Sequence, residues 1–337
     1  MKKSTIIGLI TVLTTAIGCS RDPLAVSIDQ NPLTINYYAV DSLLQQVTPN
    51  NAAATLNELN QKIPDITAYQ FAYCWQVGLP EDPAIIQHIQ QFQALPHIQR
   101  IEKALAKKFT DLPKRHQLIT DGFKRLSVHF PSKKAPKSIC YLYSNFAASA
   151  FCTETDIAIG LERYLGYTSP VIQSLPPNQF YEWMKKAMDD KFLERDAVCS
   201  WVMTHYFNEL NDVTNIEAII QWGKILYCTE AAFPDYPKEI ILRYSTKDYA
   251  WAIENERPFW DYLVKQKLLL TSSEKDQANL LREAPFTAGL PEKGPDRLGQ
   301  FLGWRIVHSY MEQNDITLDQ LIKTPYTKLL TAYEIND

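Results

Sequence analysis

The chain has 337 residues, 46% of them hydrophobic and 12% aromatic, which is enough apolar material for a large buried core. A formal charge of −4 leaves no basic footprint for nucleic acid. The 11 glycines argue against a turn-rich β-sandwich, and no apolar run after Cys19 approaches the ~20 residues of a membrane-spanning helix.

The first segment is an export signal. Lys2 and Lys3 give a positive start, an apolar run follows from Ile6 to Ile17, and Ala16-Ile17-Gly18 leads into Cys19. The run is too short to cross a bilayer as a helix. An ordinary secretory cleavage site reads A-x-A and needs no cysteine. The pattern is that of a bacterial lipobox, with Ala16 where leucine is usual. It predicts residues 1–18 as a cleaved signal peptide and the Cys19 thiol as the lipid attachment point. Each buried methylene contributes ~0.8 kcal/mol, so two or three acyl chains hold a protein at a membrane almost permanently. The expected location is the cell envelope, lipid-anchored and facing the periplasm. Residues 19–35 are expected as a lipid-anchored spacer, and 36–337 as a single α+β domain.

From Asp41 to Phe130 the text is helical. Asp82-Pro83 is a start signal, and Ile85, Ile86, Ile89, Phe92 and Leu95 keep helical spacing until Pro96 breaks it. Ile98, Ile101 and Leu105 resume the pattern, so a broken helix pair is predicted. Lys133, Lys134 and Lys137 read as a solvated loop before a strand. Residues 138–143 and 155–160 predict two or three strands of a small sheet. Glu154 and Asp156, two apart, are expected on its solvated edge.

Helical text returns over 178–188, 196–210, 215–232 and 258–270. Asp296 is a candidate cap for a helix running through Tyr310, and Thr317-Leu318-Asp319-Gln320 reads as a capping box. Gly299 and Gly303 share one helical face, where each costs about 1 kcal/mol relative to alanine, so a neighbouring backbone is expected to come close. The fold class predicted is α+β, mostly helical, around a small central sheet.

Five cysteines follow Cys19, namely Cys74, Cys140, Cys152, Cys199 and Cys228, without a CxxC motif. Cys140 and Cys152 fall in neighbouring predicted strands and form a candidate pair. Each of the five lies in an apolar run, however, which favours buried thiols acting as small hydrophobes.

Several blocks in the C-terminal half carry a family likeness. They are Trp222-Gly223-Lys224-Ile225-Leu226-Tyr227, Ala284-Pro285-Phe286-Thr287 and the run from Gly294-Pro295-Asp296-Arg297 through Gly303-Trp304 to Tyr310-Met311. With Ile159-Gly160-Leu161-Glu162-Arg163-Tyr164-Leu165-Gly166, they resemble the GldB-type gliding-motility lipoproteins of the Bacteroidetes. The likeness covers nearly the whole chain, and it implies an envelope lipoprotein associated with gliding and the linked secretion machinery. That family looks distantly similar to zinc proteases with an HExxH helix, which implies a zincin-like body.

The chain departs from the zinc pattern at each decisive position. Where HExxH would lie it reads Trp201-Val202-Met203-Thr204-His205, so only the second histidine is matched. Trp222 precedes Gly223 where a glutamate ligand would stand, and no two of the six histidines lie four apart. The catalytic motif is read as lost, and His205 and His308 as packed, hydrogen-bonded core histidines. No G-x-S-x-G and no Cys/His signature appears either.

The function expected from these residues is a non-catalytic, lipid-anchored scaffold or partner-binding component. Its partners are the membrane, through the anchor, and proteins of the gliding and secretion machinery. No cofactor, metal, nucleic acid or small-molecule substrate is expected. Two alternatives remain: a metallohydrolase drawing atypical ligands from His205, Glu162, Glu209 or Glu217, and a periplasmic module that holds peptides without cutting them. The 284–293 loop is read as a connector.

Overall fold

The computed structural model describes residues 24–333 except 49, 211 and 291–293. The predicted signal peptide, Cys19 and the first residues of the spacer lie outside these. Strand β1 (Asn36–Ala39) runs directly into the short helices α1 (Val40–Gln45), α2 (Ala52–Lys62) and α3 (Pro64–Tyr69). The broken pair follows as α4 (Ile85–Gln93) and α5 (Pro96–Lys108), with Pro96 at the start of the second helix, where its missing N–H has no cost. Asp82 prepares the first of these by accepting a hydrogen bond from Ala84 N at 2.8 Å. Helix α6 (Leu112–His129) then leads to β2 (Ser138–Leu142), β3 (Ala150–Cys152) and β4 (Asp156–Gly160).

The rest is helical: α7 (Pro170–Gln173), α8 (Glu182–Lys186), α9 (Leu193–Tyr206), α10 (Asn215–Ala232), α11 (Lys238–Ile241), α12 (Thr246–Glu254), α13 (Glu256–Lys265), α14 (Glu274–Leu281), α15 (Leu298–Gln313), α16 (Leu318–Lys323) and α17 (Tyr326–Thr331). The fold is therefore α+β and mostly helical, as its sequence predicts. Helix α8 is much shorter than the predicted span 178–188. Helix α10 has the predicted bounds, and Thr317 caps α16 through the expected box with Gln320.

The sheet corrects the sequence reading. Its order is β1-β2-β4-β3, with β1, β2 and β4 parallel and β3 antiparallel on β4. Strand β1 has only four residues and pairs with a strand about a hundred positions away, so no local pattern announces it. Because β4 lies between β2 and β3, Cys140 and Cys152 are two strand spacings apart, roughly 9.6 Å. That exceeds disulfide reach, and all five described cysteines are free thiols. Asp156 is also not on a solvated edge: it opens β4 at 3% exposure, whereas Glu154 sits in the exposed turn before it.

The segment read as a spacer is held down from Leu24 onward. Leu24 is buried, and Asn31 Nδ2 donates to Lys124 O and to Ser127 Oγ at 2.7 Å, both on α6. Lys133 is partly buried rather than fully solvated. Its ammonium caps the C-terminus of α9 through His205 O and Tyr206 O, where a helix end favours a cation.

The core centres on α10, which is buried on nearly every face and packs most extensively against α15. Gly303 makes this possible. A Cβ there would sit 1.9 Å from Ile219 O, and one at Gly223 would sit 2.1 Å from Gly303 O. Gly299 instead faces α14, where a Cβ would come within 2.9 Å of Leu280 O. The predicted close approach is real and involves two different neighbours.

Candidate functional site

The parallel strands converge on a buried polar cluster. Asp41, Ser144 and Glu162 lie just beyond the carboxyl ends of β1, β2 and β4. Glu162 is fully buried, and its Oε1 accepts from Ser144 N, Phe146 N and Ser144 Oγ at 3.1, 2.8 and 2.5 Å. These bonds hold Asn145 and Phe146 in left-handed backbone at φ 55° and 60°. Asp41 accepts from Gln70 Nε2 at 2.7 Å. Burial, then the nearby Glu162 charge, push the Asp41 carboxyl well above the usual range, and burial also raises Glu162.

A larger opening lies on the other side of β3. This cleft of about 340 Å³ is bounded by Ala150 of β3, by α9, by Trp222 of α10, by the end of α14 and by the start of α15. Its floor is an ion network built around Asp196. Arg195 Nη1 donates to Asp196 Oδ1 at 3.1 Å, while Arg243 Nε and Tyr164 Oη donate to Oδ2 at 3.0 and 2.9 Å. Arg243 Nη1 reaches Glu283 at 2.6 Å, and Arg297 Nη2 donates to Arg243 O at 3.0 Å. Arg243 and Arg297 both adopt left-handed backbone, at φ 58° and 54°. Burial and the adjacent Asp196 carboxylate push the Tyr164 phenol well above its ordinary pKa.

The positive-φ geometry explains why Asp296 does not cap α15. Arg297 occupies the cap position, and Asp296 Oδ2 turns back to accept from Ala284 N at 3.0 Å. The hydroxyl of Thr287 takes over, accepting from Leu298 N at 3.4 Å and donating to Pro295 O at 2.9 Å. Both ends of the connecting loop are thereby tied together.

The structure does not assemble the residues that an atypical zinc site would need. His205 is partly buried, and its ring stacks on Trp201 at 3.6 Å. Trp201 and Val202 are fully buried, and Trp201 Nε1 donates to Lys134 O at 3.0 Å. Glu162 is committed to the β2–β3 turn, Glu217 to the capping box of Thr214, and Glu209 is exposed. Among the described residues no group of three or more His, Cys, Asp or Glu is close enough to hold a metal. The donor set does not fit zinc. His308 lies elsewhere, with Nε2 2.8 Å from Glu230, whose carboxylate also accepts from Trp304 Nε1 and Lys238. Burial alone would raise Glu230, but His308 and Lys238 bring it below the ordinary range.

The four cleft arginines, Arg195, Arg243, Arg282 and Arg297, escaped sequence reasoning because they are scattered over about a hundred positions with no common spacing. The one available signal was Asp296-Arg297 ahead of an apolar helix, within a block that carries the family likeness.

No helix among the described residues is long and apolar enough to cross a membrane. No curated protein and no solved structure matches the chain. The family model of the gliding motility protein GldB matches residues 21–334, and the chain belongs to that family.

Proposed function

We propose that this gliding-motility family member is a lipid-anchored, non-catalytic component of the cell envelope that acts by holding partner proteins. Family membership supports the link to the motility machinery. The lipobox supports anchoring through Cys19, on the periplasm-facing side of a membrane. The observation that carries the non-catalytic reading is the helix α9. At the two positions where a zinc hydrolase needs a ligand and a base, it buries Trp201 and Val202 completely. Neither can bind a metal or move a proton.

Replacing Cys19 with alanine removes the acyl chains and leaves the folded body intact. Cells carrying that replacement are expected to release the protein from the membrane fraction and to lose surface spreading. Normal spreading with a soluble protein would refute the proposal.

A further inference from the structure

We propose that the cleft beside β3 binds the carboxyl-terminal residue of another polypeptide, which gives the partner-holding role proposed above a specific site. Two guanidinium groups line it while more than nine-tenths buried: Arg195 is 6% exposed and Arg297 is 8% exposed. Arg195 uses Nε on Ile241 O and Nη1 on Asp196, and its Nη2 has no partner among the described residues. Arg297 uses Nη2 on Arg243 O and holds Nε beside Asp296 at 3.0 Å, and its Nη1 has none among them either. Both of these Nη groups keep contact with solvent, and a carboxylate is the acceptor whose geometry matches a guanidinium. The acids nearby are already engaged: Asp196 accepts on both oxygens, Glu283 is bound to Arg243, and Asp296 accepts from Ala284 N. Arg195, Arg243, Arg282 and Arg297 line the cleft with Asp196 and Glu283, while Asp296 and Glu274 pair with Arg297 and Arg282, so a ligand anion would be held by the open guanidinium donors rather than by an excess of charge.

Two further features point to a chain terminus rather than a free acid. Cys199, Met203, Trp222 and Leu281 form an apolar wall suited to a hydrophobic side chain. The edge strand β3, which packs on α9, also borders the cleft. Ser149 O accepts from Gly160 N and Thr153 N donates to Asp156 O, so alternation along the antiparallel ladder turns the Ala150 N–H and C=O away from β4. Ala150 lines the cleft, and its outward backbone groups can pair with an extended peptide. A small organic acid would use the guanidiniums alone. A terminal residue with the peptide preceding it would use all three surfaces.

The test uses the full lipidated chain in detergent and calorimetric titration. The probes are acetyl-alanyl-alanyl-leucine with a free carboxylate, its carboxamide, and N-acetylleucine. The free-acid tripeptide is expected to saturate at or below about 1 mM, with the other two at least about tenfold weaker. Met203 is 42% exposed, so Met203→Glu adds a negative charge to the cleft wall without disturbing the core. It is expected to weaken the tripeptide by about tenfold or more at an unchanged unfolding midpoint, and Arg297→Gln, where it folds, is expected to weaken it by as much. Absence of saturation, equal binding of the carboxamide, or indifference to Met203→Glu would each overturn the proposal. Equal binding of N-acetylleucine would reassign the cleft to free organic acids. None of these results touches the anchored, partner-holding role, which the localisation and spreading of Cys19→Ala cells judge separately.

Discussion

The seam between α10 and α15 makes the most demanding quantitative test. In an exposed helix, Gly→Ala stabilises by about 1 kcal/mol through backbone entropy. At Gly303 the added Cβ would fall 1.9 Å from Ile219 O and 3.0 Å from Gly223 N. Ordinary carbon–oxygen contact is about 3.3 Å, so the helices must part by more than about 1 Å. A gap of that size forfeits up to half of each dispersion contact along the seam, and overpacking in cores costs about 3 kcal/mol. The net expectation for Gly303→Ala is a loss of about 2 kcal/mol, or about 3 °C in Tm. Gly122→Ala is the internal control, because the atoms nearest its Cβ would be side-chain atoms, the Phe233 ring at 3.2 Å and the Ala232 Cβ at 3.4 Å, rather than a neighbouring backbone. Helix propensity favours all these substitutions alike, so the ranking reads packing alone. Gly223→Ala should rank with Gly303→Ala, and the double variant should lose less than the sum, since one separation relieves both clashes. Denaturant unfolding of all four variants measures this. A Gly303→Ala protein as stable as Gly122→Ala would refute the close-packed seam.

Three further outcomes are expected. Asp41 has a raised folded pKa, so its contribution is fully present below about pH 4 and is lost as pH rises through the folded value. Asp41→Asn keeps an acceptor for Gln70 and should flatten this decline in pH-dependent denaturant melts; an unchanged slope would refute the assignment. Glu162→Ala leaves Ser144 N and Phe146 N buried without an acceptor and is expected to cost about 3 kcal/mol or more in the same melts. Burial raises the Cys152 and Cys74 thiols to about 11, so native-state alkylation should be slow at neutral pH. Non-reducing mass spectrometry should find no Cys140–Cys152 crosslink, and finding one would overturn the strand order.

How much of this was legible depends on whether the determining interaction is local. The Pro96 break, the bounds of α10 and the Thr317 box each follow from residues a few positions apart, and periodicity or capping chemistry suffices to read them. The glycine face of Gly299 and Gly303 was readable as close packing, but not its two separate neighbours.

The chain alone determined a mostly helical body with a small sheet, and that its α9 carries no zinc-binding pair. Tertiary structure decided the rest. Strand β1 exists only because β2 supplies its hydrogen bonds, and the insertion of β4 keeps Cys140 from Cys152. Thr287 displaced Asp296 as the cap of α15 because Arg297 turns left-handed. The arginines of the cleft met only when α9, α11–α12 and α15 packed around Asp196. Such contacts join residues far apart in the chain, and their stability comes from burial that no local window of sequence contains.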